Sequence, residues 1–307
     1  MHAWLARAGV AARLAADHGE LWVPAALAWV AFLGWLPFVL AVARPPNEGD
    51  LTVFGAGLAT SGDWPVNAIR LAAGLVVLAL IANTLVAVGE AGLLRLLDRR
   101  PAEQSGAALL ATARRLWIAQ LVGSLPAVAV LLALLTAGIA AAVGELQSPD
   151  IGGSAWMRVA VRIAPLGVAL LVALVAGQAF VAAVARRPPR DGSAPRGHAF
   201  AGALRDLAHR PLALLGVALA SLGLQLAYLA VSLLLLRVLW APIGEALANG
   251  RATTSAAPLL LVGFVAIWLC LVLVGGALHA FVAAWWSLEL GADAREEPSN
   301  REEAATT

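Results

Sequence analysis

The chain contains no lysine; all 21 of its basic residues are arginine. Such one-sided usage fits the codon bias of a GC-rich bacterium and implies no chemistry of its own. Cysteine is nearly absent as well. The single Cys270 lies in an apolar run, which excludes an internal disulfide and any cysteine-based zinc site. Charge is scarce: 13% of the 307 residues are Asp, Glu, Lys or Arg, against about 25% in soluble domains. A soluble protein of this length needs more polar cover than that. There is no P-loop, HExxH or GxSxG motif, and no acidic pair at metal-ligand spacing within a helix. The five histidines (His2, His18, His198, His209 and His279) are scattered. No catalytic residue, cofactor or metal is expected. The N-terminus lacks a charged n-region with a short apolar core, so no cleavable signal is expected and the first span would act as an uncleaved anchor.

What is abundant is apolar surface, at 61% hydrophobic residues and a mean hydropathy of +0.83. A bilayer core needs about 20 apolar residues per helix. Six stretches satisfy this: Leu21–Ala43, Ala68–Leu94, Trp117–Val143, Val159–Val184, Leu212–Leu239 and Pro258–Trp286. None alternates as a strand would, and backbone polar groups in lipid must be satisfied within the segment, so all six are read as helices. The fold class is therefore all-α, a polytopic bundle of six transmembrane helices. One membrane domain is expected over 1–290, followed by an acidic, disordered tail at 291–307.

Arginine distribution orients the bundle. The N-terminal Arg7 and Arg13, the connection between spans 2 and 3, that between spans 4 and 5, and the C-terminal tail together hold 15 arginines. The other side holds six: Arg44, Arg70, Arg158, Arg162, Arg237 and Arg251. The positive-inside rule then puts both termini in the cytoplasm, with the protein in a bacterial inner membrane. Tryptophans near the predicted boundaries, among them Trp22, Trp117, Trp240 and Trp285, fit interfacial anchoring. The arginines hug the membrane, so membrane lipids are the expected partners and nucleic acid is not. The pairs Arg99–Arg100, Arg114–Arg115 and Arg186–Arg187, with Arg210 beside His209, are candidate contacts to anionic headgroups; the alternative is that they only set topology. Arg70, Arg158 and Arg162, on the other side, either bind an anion or snorkel to the interface.

The sequence also repeats. Gly106–Trp117 matches Ala201–Leu212 at an offset of 95, with Ala108/Ala203, Leu109/Leu204, Ala113/Ala208 and Arg115/Arg210 identical. Gln178-Ala-Phe-Val-Ala-Ala183 parallels His279-Ala-Phe-Val-Ala-Ala284 at five of six positions. A degenerate third copy runs from Ala11 to His18. The units implied are 1–98, 99–189 and 190–290, each a short cytoplasmic helix, an outward span and an inward span. Glu90, Gln178 and His279 would then be equivalent, near the cytoplasmic ends of spans 2, 4 and 6. Polar groups at that depth are costly and face the bundle interior. Such a layer would form a polar cluster, a proton-sensitive pair (Glu90 with His279) or a weak ion site; the structural alternative is helix cross-linking by hydrogen bonds of about 1 kcal/mol each.

This pattern of amphipathic helix, basic pair and span, ending in Gly276-Ala-Leu-His-Ala-Phe-Val-Ala-Ala-Trp-Trp-Ser-Leu-Glu-Leu290, resembles bacterial six-helix membrane proteins of the kind fused to glycerophosphodiester phosphodiesterases. The resemblance implies a six-helix bundle and, with no phosphodiesterase domain here, no catalytic residue. Function is expected to be that of a non-enzymatic scaffold, assembly factor or partner subunit, which brings a membrane-protein partner into play; the alternative is a small transporter or channel-like protein for a lipid or small solute.

Overall fold

A computed structural model of the chain describes residues 2–43, 65–98, 106–147, 154–187, 197–249 and 257–291. Every element among them is helical. In chain order these are α1 (His2–Asp17), α2 (Trp22–Trp29), α3 (Leu36–Val42), α4 (Val66–Asp98), α5 (Gly106–Gln147), α6 (Ala155–Ala185), α7 (Gly197–His209), α8 (Pro211–Ala248) and α9 (Ala257–Gly291). Five helices are long and apolar enough to cross a membrane, and α2–α3 make a sixth span if the bent pair is taken together. The protein is a multi-pass, all-α membrane protein, as its composition demands.

Contacts divide the chain into two compact units, one of Met1–Ala113 with Gly223–Ala292 and one built on Arg114–Leu222. These limits follow packing, and cut α5 and α8 within the helix.

In the first unit, α1 stops at His18-Gly19, and a short 3-10 turn, Gly19–Leu21, redirects the chain. Trp22 Nε1 donates to the Ala15 carbonyl at 2.7 Å, fixing that corner. The first span then breaks. A π turn over Val30–Gly34 separates α2 from α3, and the axis bends by 43°. Pro37 sits at the start of α3. It has no N–H, and its ring collides with the carbonyl four residues back, so a straight α-helix cannot pass through it. The carbonyl of Gly34, released by the break, accepts from Trp268 Nε1 of α9 at 3.2 Å.

The same span is gripped on two sides. It packs against α4 and α9. A Cβ on Gly89 of α4 would lie 2.8 Å from Pro24 O and Ala28 N, and one on Gly276 of α9 would lie 2.7 Å from Ala26 Cβ. These are backbone-to-backbone approaches of the kind small residues permit in lipid, where dispersion replaces hydrophobic drive. Farther along, Phe38 of α3 meets Phe264 and Trp268 of α9, and Trp240 of α8 closes on Phe264, with ring centroids 4.9–5.4 Å apart.

In the second unit, α5 and α6 approach most closely at Gly123 and Gly177, where a Cβ on Gly177 would strike the Gly123 carbonyl. The amphipathic α7 packs back on α6, with Phe200 against Phe180 at 5.9 Å. The Arg187 guanidinium lies over Gly202, in the space a Cβ would fill.

One expectation changes. Short helices precede the spans at α1 and α7, but the corresponding segment before span 3 is continuous with it, α5 running unbroken for 42 residues. The reason is local. His18-Gly19 and Arg210-Pro211 supply breaks, whereas Arg114-Arg115-Leu116-Trp117 contains none. The tail beyond Gly291 lies outside the described residues.

Candidate functional site

Glu90 and His279 meet. Glu90 is on α4, one residue past the glycine that admits the first span; His279 is on α9, three past Gly276. His279 Nε2 lies 2.5 Å from Glu90 Oε1. Their side chains are 18% and 11% exposed, Glu90 first. Around them is a tight apolar cluster of Ala15, Leu21, Ala25, Leu93, Ala280 and Ala283. His279 Nδ1 is buried and has no hydrogen-bond partner among the described residues. The Glu90 contact is a short hydrogen bond between side chains of two helices. What it does is join α4 to α9 across the cluster that seats α2.

Gln178, the third member of the expected layer, belongs to the second unit. It lies half-buried on α6, next to the Gly177 crossing. Among the described residues no group of three or more His, Cys, Asp or Glu side chains could hold a metal.

The arginine candidates separate by role. Arg115 donates through Nη1 to Arg187 O at 2.8 Å and through Nη2 to Ala185 O at 3.2 Å. It caps the C-terminus of α6, where unsatisfied carbonyls and the helix dipole favour a cation. Arg186 Nη1 donates to Ala182 O of its own helix at 3.2 Å, and Arg187 covers Gly202. Arg114 and Arg210 are exposed. Arg99 and Arg100 lie outside the described residues.

Three polar contacts were not anticipated from the sequence. Arg7 of α1 pairs with Glu289 at the end of α9, Nε to Oε2 at 2.9 Å, beside Trp4 packed on Trp285. Tyr228 of α8 donates its hydroxyl to Leu271 O at 2.6 Å. Glu145 accepts from Arg158 Nε at 2.8 Å and pairs with Arg162 Nη2 at 3.2 Å. A signal existed only for the second, because Gln225, Tyr228 and Ser232 recur at three- and four-residue spacing and so share one helix face. That face turns inward: Gln225 and Ser232 are buried. Beside it, Trp29, Gly34, Ser232 and Trp268 bound a cavity of about 10 Å³, room for about one water at most.

No protein-family model, no curated protein and no solved structure matches the chain.

Proposed function

We propose that this multi-pass protein is a non-enzymatic scaffold, assembly or partner subunit of a bacterial cytoplasmic membrane, with both termini in the cytoplasm. The observation that carries this is how the inner polar groups are used. Glu90 closes on His279, Tyr228 and Trp268 close on backbone carbonyls, and the cavity beside them is water-sized. A solute route needs polar groups turned toward continuous space. Glu90, His279, Tyr228 and Trp268 are instead spent on holding helices together. Apolar surface, by contrast, is plentiful outside. Leu75, Val76, Val77 and Leu78 are each 55–61% exposed, and four consecutive residues go all round a helix. Such a surface suits lipid and membrane-protein neighbours.

The orientation rests on the arginine excess of 15 over six. An internal repeat is supported by local details that recur. His18 Nδ1 lies 3.2 Å from Leu14 O at the end of α1, and His209 Nδ1 lies 2.8 Å from Arg205 O at the end of α7. In each case a break and then a span follow. Trp4 packs near the His279–Ala284 run through Trp285, as Phe200 packs on Phe180 of the Gln178–Ala183 run. The six-helix class that accompanies glycerophosphodiester phosphodiesterases remains the proposed kinship, on pattern.

The transporter alternative is favoured by one feature, the bent first span with its π turn, since broken helices and π turns recur at membrane and functional sites. Flux separates the two. Proteoliposomes carrying the full chain, with an internal pH dye and entrapped calcein, are expected to leak protons and calcein no faster than empty liposomes, and Glu90→Gln is expected to change neither. A proton flux that Glu90→Gln or His279→Ala abolishes would overturn the scaffold in favour of transport.

A further inference from the structure

We infer that the start of α6 carries a binding site for the phosphate of an anionic phospholipid, at the end of the α5–α6 pair opposite the Arg115 cap. Arg158 and Arg162 stand one turn apart on α6, and both converge on Glu145 of α5. Among the described residues, two guanidinium groups against one carboxylate leave one positive charge in excess. The two are not used equally. Arg158 reaches Glu145 through Nε and Nη2, both at 2.8 Å or less, and its side chain is 20% exposed. Arg162 touches Glu145 through Nη2 alone at 3.2 Å, and its side chain is 56% exposed. A guanidinium has five N–H donors in a planar fork suited to phosphate, so most of Arg162's donors remain for a second anion.

The surroundings select the type of anion. Met157, Arg158, Val161 and Arg162 form an open, shallow surface on one face of α6. Met157 and Val161 are 69% and 67% exposed. This face presents cationic N–H groups beside bare apolar side chains, at the end of a helix apolar enough to span a membrane. A free inorganic anion has no use for the apolar wall. A phospholipid satisfies both, with its phosphate on Arg162 and the upper part of an acyl chain along Met157 and Val161. Simple snorkelling would explain an exposed arginine. It does not explain two arginines held on a shared carboxylate beside two exposed apolar side chains, a geometry that restrains Arg162 before any lipid arrives.

The test is photolabelling of the full chain in nanodiscs with a phosphatidylglycerol bearing a photoreactive group near the glycerol. Adducts are expected on Met157–Val161, located by mass spectrometry after a chymotryptic digest, since trypsin would cut within this stretch at Arg158. Arg162→Gln is expected to lower that labelling about fivefold, the weight of one interfacial arginine on an anionic headgroup, and Arg162→Lys to retain most of it. Val161→Ser leaves all three charged groups in place, removes part of the apolar wall, and is expected to lower labelling with an unchanged melting temperature, which keeps the test decisive if Arg162→Gln folds poorly. Equal labelling by a photoreactive phosphatidylcholine, or labelling indifferent to both Arg162→Gln and Val161→Ser, would overturn the site. Displacement by millimolar inorganic phosphate would overturn the lipid and assign a soluble anion instead.

Discussion

His279 and Glu90 illustrate what one polar contact does when its surroundings are apolar. Removing one partner of a buried pair strands the other, at a cost of about 3–5 kcal/mol in proteins generally. Keeping a hydrogen-bonding group changes far less, because a helix–helix hydrogen bond in lipid contributes about 1 kcal/mol. His279→Ala is thus expected to lower thermal stability in detergent clearly more than Glu90→Gln, followed by intrinsic tryptophan fluorescence. The double variant should be less destabilised than the sum of the two, since the groups touch at 2.5 Å. Glycines divide as sharply. Gly89→Ala and Gly276→Ala push a methyl to within 2.8 Å of the first span and are expected to destabilise by about 1–3 kcal/mol. Gly167→Ala, inside α6 with open space around it, is expected to be neutral or stabilising by up to about 1 kcal/mol. The same melting curves rank all three. None of this ranking is legible in the sequence, where the thirteen glycines of the six membrane stretches look alike; it depends on which ones face another backbone.

At the level of elements, spans were readable and their joints only partly so. Long apolar runs with no strand alternation can only be helices in lipid, and each expected stretch falls within a helix or the bent pair. Pro37 announces a kink, but not that the freed Gly34 carbonyl would be taken by Trp268, 234 residues on. Trp268→Phe keeps an aromatic ring and removes that donor. It is expected to cost about 1 kcal/mol. Arg115 reads in the sequence as one of a basic pair facing headgroups, yet its fork is spent on carbonyls at the end of α6. A planar, two-pronged contact is not reproduced by a point charge. Arg115→Lys should therefore destabilise nearly as much as Arg115→Ala, whereas at the exposed Arg114 lysine should substitute well. Comparing melting temperatures of Arg115→Lys, Arg115→Ala and Arg114→Lys checks this.

For the molecule as a whole, the sequence is informative about environment and sparing about purpose. Hydropathy and arginine asymmetry act on every residue at once, so class and proposed orientation follow from counts. Pairings such as Glu90 with His279 arise from where helices cross; the expected repeat offered that pair as one alternative among several, and the helix crossing is what brings the two together. Cys270 makes the topology directly testable. It is the only cysteine and lies exposed on the apolar α9. In a Cys270→Ala background, single cysteines at Arg13 and at Ser299 are both expected to react with a membrane-impermeant maleimide in inside-out vesicles and not in right-side-out ones. Reaction from opposite sides would require an odd number of spans.

The bond between Arg7 and Glu289 joins residues 282 positions apart, and α2 rests on a helix made equally late. At about 5–20 residues per second, the first span is synthesised roughly 11–50 s before α9. For that interval Ala25, Ala26 and Trp29 must be sheltered by lipid, by α4 or by the insertion machinery. The nascent chain is thus committed to the bilayer long before its ends can be stitched together. A chain that stops short of Gly275 lacks the α9 side of the seat in which its earliest span packs.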